Sequence, residues 1–280
     1  MMPAQKAPRV LVISGSDSSG GAGMQADIRT LESIDIDGVY AVTAVTAQDS
    51  TSVAGVMPVS KDLLGLQIDL AIGEQSPAAT KVGMLATAEN VAVVSDRMKA
   101  GKLPNAIVDP VLAASSGKPL IEEAGIEAYR ELLIPHTYIL TPNIPEAELL
   151  AGTIISDVDS MVDAAMGLHD MGAQVVIIKG GHANWETPEK YISPDTSPDA
   201  PMMLDIIVGL NDDVGALVSP RLQVGEIRGT GCTFSSAIAG YIVHGYSAEE
   251  AITAAKRYVT QYIAKYGSSL SSMDTLNCEL

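Results

Sequence analysis

The sequence predicts an α/β fold, with a mostly parallel central sheet, helices on both faces and a β-hairpin at the sheet edge. Short apolar runs alternate along the chain with amphipathic stretches, which is the pattern of repeated strand–helix units. The apolar runs are nearly continuous, as expected of strands buried on both faces. The 280-residue chain shows no interdomain linker and no internal repeat. We therefore expect one domain over residues 1–280.

Six apolar runs are expected to be strands, because each is short and ends in Gly, Pro, Asn or Asp. They read "RVLVISGS", "GVYAVTAVTA", "ATKVGML", "NAIVDPV", "TYILTPN" and "QVVIIKGG". Helical patterns between them cover residues 23–35, 60–72, 87–100, 120–133, 144–151 and 157–171. A long loop with four prolines is expected at residues 182–201. The runs "MMLDIIVG" and "GALVSP" then predict the antiparallel edge hairpin.

The charge balance excludes several classes of partner. The chain has 17 Lys and Arg against 34 Asp and Glu, a net charge of −17, which argues against nucleic acid and anionic membranes. No run approaches the roughly 18 apolar residues of a membrane span, and the first apolar run is too short for a secretion signal. We therefore expect a soluble, cytoplasmic protein. A small anionic substrate is still compatible with this charge, provided that positive groups in one cleft reverse the negative electrostatic field there.

The stretch "GSDSSGGAGMQAD" at residues 15–27 is a strand followed by a glycine-rich turn and a helix. Glycines at such a turn permit positive φ and close approach of a ligand to the backbone. The spacing fits neither a dinucleotide-binding nor a Walker pattern, and a tight strand-to-helix turn explains it equally well. Asp27 lies one turn into the helix, where a carboxylate also interacts favourably with the helix dipole.

Gln48 follows an apolar strand in "TAVTAQDSTSV". Its amide offers a carbonyl and an NH₂ group, which can pair with a heteroaromatic ring that carries adjacent donor and acceptor atoms. A turn glutamine without a ligand is the commoner case. On this motif alone both interpretations stay open.

Two carboxylates also follow predicted strands, Asp109 in "VDPV" and Glu146 in "TPNIPEAELL". Both are expected to face one cleft, because ligands in open α/β sheets bind beyond the carboxyl ends of the strands. Carboxylates that hold a hydrated Mg²⁺ suit phosphoryl transfer. Glu146 is also explained as a helix N-terminal residue with Asn143 as the cap, and the two roles are compatible.

The stretch "GTGC" at residues 229–232 lies where an Ala/Ile-rich helix begins. Gly229, Thr230 and Gly231 can direct backbone N–H groups at an anion, which the helix dipole also favours. At such a terminus we expect Cys232 to have a lowered thiol pKa. An isolated cysteine is usually buried and inert, but this position argues for a chemical role.

Taken in order, several motifs resemble the hydroxymethylpyrimidine/phosphomethylpyrimidine kinases of thiamine biosynthesis, which belong to the ribokinase-like superfamily. The motifs are "GSDSSGGAGMQAD", "TAQD", "KVGML", "VDPV", "TPNIPEAELLAG", "IKGGH" and "GTGCT". The similarity covers residues 9–265, and the tail at 268–280 is expected to be disordered. It implies a ribokinase-like three-layer α/β/α domain, a homodimer, and transfer of the γ-phosphate of ATP to a pyrimidine alcohol.

The resemblance also implies residue roles. Asp27 and Gln48 would bind the aminopyrimidine beside Gly15, with Met84 and Val111 as apolar walls. The remaining roles are nucleotide contacts at Asn143, Lys179 and Arg228, Mg²⁺ ligation at Asp109 and Glu146, and proton removal from the alcohol by Cys232 above the amides of Gly229, Thr230 and Gly231. A monovalent cation beside Mg²⁺ is left open.

Two departures from the family pattern lie near the expected phosphate site. Arg228 replaces the usual histidine before "GTGC", and Ala114–Ser115 stands where the family usually has an Ala-Lys pair. We expect Arg228 to supply the charge of the missing lysine near the phosphates. Pyridoxal kinases of the same superfamily share the "GTGC" stretch, so a pyridoxal-type substrate is an alternative. A regulatory protein that binds the ligand without turnover is another.

Overall fold

The computed structural model describes residues 7–183, 185–191, 201–209, 211–222 and 227–267. These residues build one nine-stranded sheet with helices packed on both faces. Much of the predicted proline-rich loop and the tail at 268–280 lie outside the described residues. The described part of the loop contains short 3₁₀ turns at Gly180–His182 and Glu189–Tyr191.

The sheet has the strand order β3-β2-β1-β4-β5-β6-β7-β8-β9. All neighbours from β2 to β7 are parallel, whereas β3, β8 and β9 are antiparallel to their neighbours. The strands are β1 (Arg9–Asp17), β2 (Asp37–Gln48), β3 (Val53–Pro58), β4 (Ala79–Val82), β5 (Ala106–Val108), β6 (Ile139–Leu140), β7 (Val175–Ile178), β8 (Met202–Val208) and β9 (Val214–Pro220). The six predicted strands and the edge hairpin are confirmed.

One strand was missed by the sequence pattern. The segment "VAGVMP" forms β3, which pairs antiparallel with the end of β2. It contains a glycine and ends in proline, so it resembles a turn, and most of its side chains are at least partly exposed. A short edge strand of this kind lacks the continuous apolar pattern of a buried strand.

The first six helices follow the six predicted patterns, α7 begins where a helix start was expected, and α8 was not predicted. They are α1 (Gly23–Ser33), α2 (Lys61–Glu74), α3 (Ala88–Lys99), α4 (Glu123–Ala128), α5 (Ile144–Ala151), α6 (Val158–Asp170), α7 (Thr230–Val243) and α8 (Ala248–Gly267). Helix α4 starts later than the pattern predicts and continues as a π-helical turn at Tyr129–Leu133. Across the described residues, no helix is both long and apolar enough to span a membrane.

The three layers follow from the alternation of side chains along β1. Val10 and Val12 pack with the helices on one face, while Leu11 and Ile13 pack with those on the other. All four side chains are fully buried. This double burial requires the continuous apolar strands that the sequence shows.

A glycine holds the end of β7 against β8. A Cβ atom on Gly180 would lie 1.8 Å from the carbonyl oxygen of Leu204, so any larger residue must move backbone. The Gly180 N–H group also donates to the Asp205 carboxylate at 2.9 Å. Because Gly180 directly follows Lys179 in the chain, this contact fixes the position of the Lys179 backbone after β7.

We expect Gly180→Ala to lower the free energy of unfolding by more than about 2 kcal/mol, because the clash is with backbone. Gly167→Ala is the matched control, since a Cβ atom there meets nothing within 4 Å on α6. That change should raise the stability by about 0.5–1 kcal/mol, since alanine is the better helix former. Urea unfolding measures both. Equal effects would contradict the assigned packing.

Candidate active site

A cavity of about 630 Å³ opens at the carboxyl ends of the parallel strands. Its lining includes every residue that the sequence nominates except Asp27: Gly15, Gln48, Met84, Asp109, Val111, Asn143, Glu146, Lys179, Arg228, Gly229, Thr230, Gly231 and Cys232. The sheet topology explains this convergence, because the loops after successive parallel strands meet at one edge.

Two glycine-rich segments touch at the start of α7. Gly229 has φ +77°, and a Cβ atom there would lie 2.3 Å from the Gly21 carbonyl oxygen. A Cβ atom on Gly231 would lie 3.2 Å from Lys179 Nζ and 3.3 Å from Asp109 Oδ2. The helix start therefore lies directly over an ion pair. Unpaired backbone N–H groups at a helix start, together with a nearby ammonium group, are a combination that can bind an anion.

The ion pair beneath α7 joins Lys179 and Asp109. Their side chains are 2.8 Å apart, and Asp109 is only 2% exposed. Thr141 donates a longer hydrogen bond to the same carboxylate at 3.4 Å. Burial opposes the lysine charge, but the carboxylates of Asp109 and Glu146 raise the pKa of Lys179. The cavity floor thus holds a permanent ammonium group.

Glu146 is both a capping residue and a buried acid. Its carboxylate accepts the Asn143 N–H at 2.8 Å, while the Asn143 side chain accepts the Glu146 N–H at 2.9 Å. Burial raises the pKa of Glu146 to about 7; Lys179 opposes this shift and Asp109 adds to it. The capping role expected from the sequence is therefore confirmed, and the metal-binding role stays a prediction.

The carboxylates of Asp109 and Glu146 are the donor set available for a metal. In the described part of the chain, no group of three or more His, Cys, Asp or Glu side chains is arranged to hold an ion. A pair of carboxylates fits Mg²⁺, which keeps most of its water ligands and uses few protein oxygens.

One end of the cavity is lined by apolar side chains. Met84 belongs to a small buried cluster, with Val111 packed against it. A Cβ atom on Gly15 would lie 2.9 Å from Met84 Sδ, so the glycine makes room for the methionine. Gln48 ends β2 at the same place and is partly buried. A flat ring with one polar edge suits this end.

Asp27 lies behind the cavity wall rather than in it. Its side chain is fully buried and bound by Lys81 Nζ at 2.9 and 3.0 Å and by the Ser236 hydroxyl at 2.8 Å. Burial raises the pKa of Asp27 even though Lys81 counteracts it. Asp27 is therefore not among the residues that line the cavity, and its binding of the aminopyrimidine stays a prediction; it lies against Ser236, one helical turn beyond Cys232 on α7.

Lys81 was not nominated from the sequence, although a signal was present. A lysine inside the apolar strand "ATKV" must be paired if it is buried. Its side chain is fully buried against Asp27. Burial opposes its charge, yet Asp27 and neighbouring acids raise the pKa of Lys81.

The expected lowering of the Cys232 thiol pKa is wrong for this structure. Cys232 is 8% exposed. Burial raises the pKa of Cys232 to about 12, with opposition from Lys81 and from the Gly23 N–H, and with support from Asp27 and Asp109. Desolvation thus outweighs the position at a helix start. In the absence of ligands the residue is a neutral thiol.

Arg228 contacts the glycine-rich turn after β1 and the turn after β2. Its guanidinium reaches the Ser19 hydroxyl at 2.8 Å, the Asp49 carbonyl at 2.7 Å and the Asp17 carboxylate at 3.4 Å. These partners differ from the nucleotide phosphates that we expected. Glu226, the other acid near it in sequence, lies outside the described residues.

Comparison with known sequences decides the family. The sequence model of the phosphomethylpyrimidine kinase family matches residues 17–275. The chain belongs to this family. The hydroxymethylpyrimidine/phosphomethylpyrimidine kinase of Bacillus subtilis is 39% identical over 255 residues, 91% of this chain and 89% of that protein. The enzyme of the same name from Haemophilus influenzae is 34% identical and covers 91% of each chain. These relatives confirm a phosphotransferase of the thiamine-biosynthesis kinase family.

Solved structures confirm the ribokinase-like fold of this family member. The phosphomethylpyrimidine kinase of Clostridium difficile has a TM-score of 0.76 at 34% identity, with 92% of this chain and 100% of that chain covered. An ADP complex of Bacillus subtilis pyridoxal kinase has a TM-score of 0.78 at 31% identity, with 91% of each covered. Pyridoxal kinase of Staphylococcus aureus with AMP-PCP and pyridoxal has a TM-score of 0.79 at 31% identity, covering 92% and 88%.

The buried acid Glu146 predicts a pH effect on stability. Because its pKa rises from 4.5 to about 7 on folding, the unfolded chain releases this proton first. Glu146 should therefore lower the free energy of unfolding as pH rises from about 4.5 to about 7. In urea unfolding without Mg²⁺, Glu146→Gln should reduce the decrease in the free energy of unfolding over this pH range. Glu131→Gln, at an exposed site, should leave that decrease unchanged. Equal slopes in both variants would exclude the assignment.

Proposed function

We propose that this kinase transfers the γ-phosphate of ATP to 4-amino-5-hydroxymethyl-2-methylpyrimidine, to its monophosphate, or to both in succession. The observation that carries the proposal is the single cavity. It joins an apolar acceptor end, near Gln48 and Met84, to an anion-binding end, near Lys179 and the start of α7, with Cys232 also in the lining. A phosphoryl group and an alcohol can therefore meet within one enclosure.

At the acceptor end, the ring would lie between Met84 and Val111, with its polar edge toward Gln48. Gly15 lets Met84 pack close to the backbone at this end, because a Cβ atom on Gly15 would lie 2.9 Å from Met84 Sδ. The hydroxymethyl group would then extend toward Cys232. Holding the alcohol in this orientation supplies much of the acceleration, because phosphoryl transfer depends mainly on positioning and charge neutralisation.

At the other end, the N–H groups of residues 229–232 and the Lys179 ammonium would bind the phosphates. Asp109 and Glu146 would hold Mg²⁺, which neutralises charge on the transferring phosphoryl group when it is bound. Lys179 is held in place from two directions, by Asp109 at its ammonium and by a Pro142 contact at its backbone N–H. This geometry keeps the cation at the phosphates in an otherwise acidic protein.

Cys232 would accept the proton of the attacking hydroxyl group. Cys232 lines the cavity and is only 8% exposed, which limits the positions that its sulfur can take. The thiol is neutral in the free protein, so ionisation has to accompany the arrival of positive charge at the phosphates. A base in this place typically contributes about 10²–10⁴ to the rate.

A pyridoxal kinase activity is the second candidate, because two pyridoxal kinases superpose on the chain at TM-scores of 0.78 and 0.79. A non-catalytic vitamer-binding regulator is the third. Purified protein should be incubated with ATP, Mg²⁺ and a panel of the pyrimidine alcohol, its monophosphate and pyridoxal, and products read by mass spectrometry. Potassium is varied because the resemblance leaves a monovalent cation open. Preferential phosphorylation of pyridoxal would overturn the proposal, and binding without ATP consumption would establish the regulator.

Cys232→Ser tests the proton acceptor. The variant should keep the folded state and ATP affinity but lose more than about tenfold in kcat, because the hydroxyl group is a far weaker base. Steady-state kinetics measures the loss, and circular dichroism checks the fold. Cys278→Ser, the change at the other cysteine, is the control. A Cys232→Ser enzyme with wild-type kcat would remove Cys232 from the mechanism.

We also propose a cytoplasmic homodimer, as the family resemblance implies. The supporting observation is an apolar surface on α2, where Leu63, Leu66 and Leu70 are 53%, 59% and 72% exposed and recur on one side of the helix. Val45 and Met57, paired across β2 and β3, are 53% and 73% exposed. Exposed apolar surface of this kind is typical of interfaces.

Size-exclusion chromatography with light scattering should give twice the chain mass for the wild type. The double change Leu66→Glu and Leu70→Glu should give the monomer mass, because charges would be buried in the interface. Ile154→Glu, in the loop before α6, is the control at an exposed apolar residue. A double variant that stays dimeric would show that this surface is not the interface.

A further inference from the structure

Lys256 is a buried cation in the cavity wall that the sequence pattern did not identify. It lies on α8, and both Lys256 and Asp205 of β8 are among the residues that line the cavity. Their side chains form an ion pair at 2.5 Å. A buried lysine is rare and has to be paired. A buried ion pair is weak evidence for a purely stabilising role, because desolvation offsets much of the attraction between the two charges.

The pair is connected to the ion pair on the cavity floor. The Asp205 carboxylate also accepts the Gly180 N–H at 2.9 Å, and Gly180 directly follows Lys179 in the chain. Lys179 in turn pairs with Asp109 at 2.8 Å. The two lysine–aspartate pairs are therefore separated by a single backbone amide group. This places the Lys256 ammonium close to the end of the cavity where phosphates are expected.

The face of α8 that carries Lys256 is otherwise mostly apolar. Val259, Thr260 and Ile263 line the same cavity, and their spacing from Lys256 places all four side chains on one side of the helix. The Thr260 hydroxyl donates to the Lys256 carbonyl at 2.8 Å, so its hydrogen is already used within the helix. This wall is therefore positive at Lys256 and apolar beyond it. A nucleotide has the matching parts, which are charged phosphates followed by a flat base.

The orientation of the pair exposes its positive member to the cavity. The Lys256 side chain is 11% exposed and the Asp205 side chain only 2%. An ammonium group has three N–H donors, and the Asp205 carboxylate is the acceptor that the structure records for it. Donors therefore remain for a ligand. Because the paired aspartate cancels the charge at long range, the ammonium would act on a phosphate by direct contact.

The arginines of the cavity lining have other partners. Among the described residues, four cationic side chains line the cavity, and two of them are Arg221 and Arg228. Arg228 donates to the glycine-rich turn and to the turn after β2. Arg221 donates to a backbone carbonyl group at 3.0 Å. Lys179 and Lys256 are therefore the two cations best placed to bind phosphate oxygens.

We propose that Lys256 binds the α- and β-phosphates of the nucleotide, and that Asp205 is the positioning residue that holds its ammonium group at the cavity wall. The inference rests on the proposed function in one respect, which is that phosphates bind at the Lys179 end of the cavity. Lys179 then serves the transferring γ-phosphoryl group, and Lys256 serves the phosphates that stay on the nucleotide. Lys256 thus provides the second cation that the sequence led us to expect from Arg228.

The first test compares ligands that differ in their number of phosphates. Calorimetry should measure the binding of ATP, ADP and adenosine to the wild type and to Lys256→Gln. The variant should bind ATP and ADP about tenfold more weakly, the effect of losing one charge-assisted hydrogen bond, and adenosine less than about twofold more weakly. A general defect of the cavity would weaken all three ligands equally, and that result would overturn the proposal.

A second variant removes both charges, because Lys256→Gln alone leaves the Asp205 carboxylate unpaired. Asp205→Asn combined with Lys256→Gln keeps an oxygen for the Gly180 N–H group. This double variant should show the same selective loss for ATP and ADP. Lys256→Arg keeps the positive charge and should recover part of the affinity for ATP. A double variant that binds ATP as tightly as the wild type would refute the phosphate contact.

Lys118→Gln is the control for the change in net charge. Lys118 is not among the residues that line the cavity, and its ammonium group donates to the Val53 carbonyl at 2.7 Å. This variant should bind ATP, ADP and adenosine like the wild type. An equal loss of ATP affinity in Lys118→Gln and Lys256→Gln would show an effect of overall charge and would contradict a direct contact.

Steady-state kinetics separates this inference from the proposed function. Lys256→Gln should raise the KM for ATP about tenfold and change the KM for the acceptor less than about twofold. A wild type that phosphorylates no pyrimidine alcohol would end the proposed function, while nucleotide binding would still test Lys256. Normal phosphorylation with an unchanged KM for ATP in Lys256→Gln would end this inference and leave the proposed function in place.

Discussion

The ion pair between Lys179 and Asp109 is the interaction on which the cavity depends. The chain carries a net charge of −17, so a site for phosphate has to overcome a repulsive field. Lys179 provides a cation at the cavity floor, 2.8 Å from Asp109 and directly under the start of α7. Because the lysine side chain is only 17% exposed, its charge is screened less than a fully exposed charge would be. The negative electrostatic field of the protein is therefore reversed locally at this edge of the sheet.

The same arrangement occurs twice more around this site. Lys81 pairs with Asp27 beneath α7, and Lys256 on α8 pairs with Asp205 on β8 at 2.5 Å. Each pair joins a strand or a strand end to a different element. Substitution of one member of a pair would therefore leave its partner as an unpaired charge. Asp205 also receives the Gly180 N–H group, which connects the α8 pair to the residue after Lys179. The ion pairs therefore hold these elements in place and also neutralise the charges that they bury.

Much of the fold could be predicted because its strands are continuous apolar runs and its helices carry clear caps. Helix α5 has the predicted bounds, since Asn143 and Pro145 mark its start and Gly152 its end. β3 was missed because an exposed edge strand lacks the apolar pattern. The sequence also predicted that the site residues lie close together, because the loops after parallel strands meet at one edge of the sheet. What could not be read from sequence was the direction in which each side chain points, as Asp27 and Arg228 show. Tertiary partners such as Lys81 and Asp49 decide that direction.

The Cys232 thiol illustrates why one local rule does not suffice. Position at a helix start favours the thiolate, but burial and the nearby carboxylates of Asp27 and Asp109 favour the neutral thiol, and their combined effect is larger. Asp27 is already neutralised by Lys81. Asp109 is different, because on the proposed function it is also a metal ligand. A cation held by Asp109 would offset the effect of this carboxylate on the thiol, while Lys179 stays 2.8 Å from Asp109. Ionisation of the thiol would then be linked to filling of the phosphate end of the cavity, because positive charge there favours the thiolate.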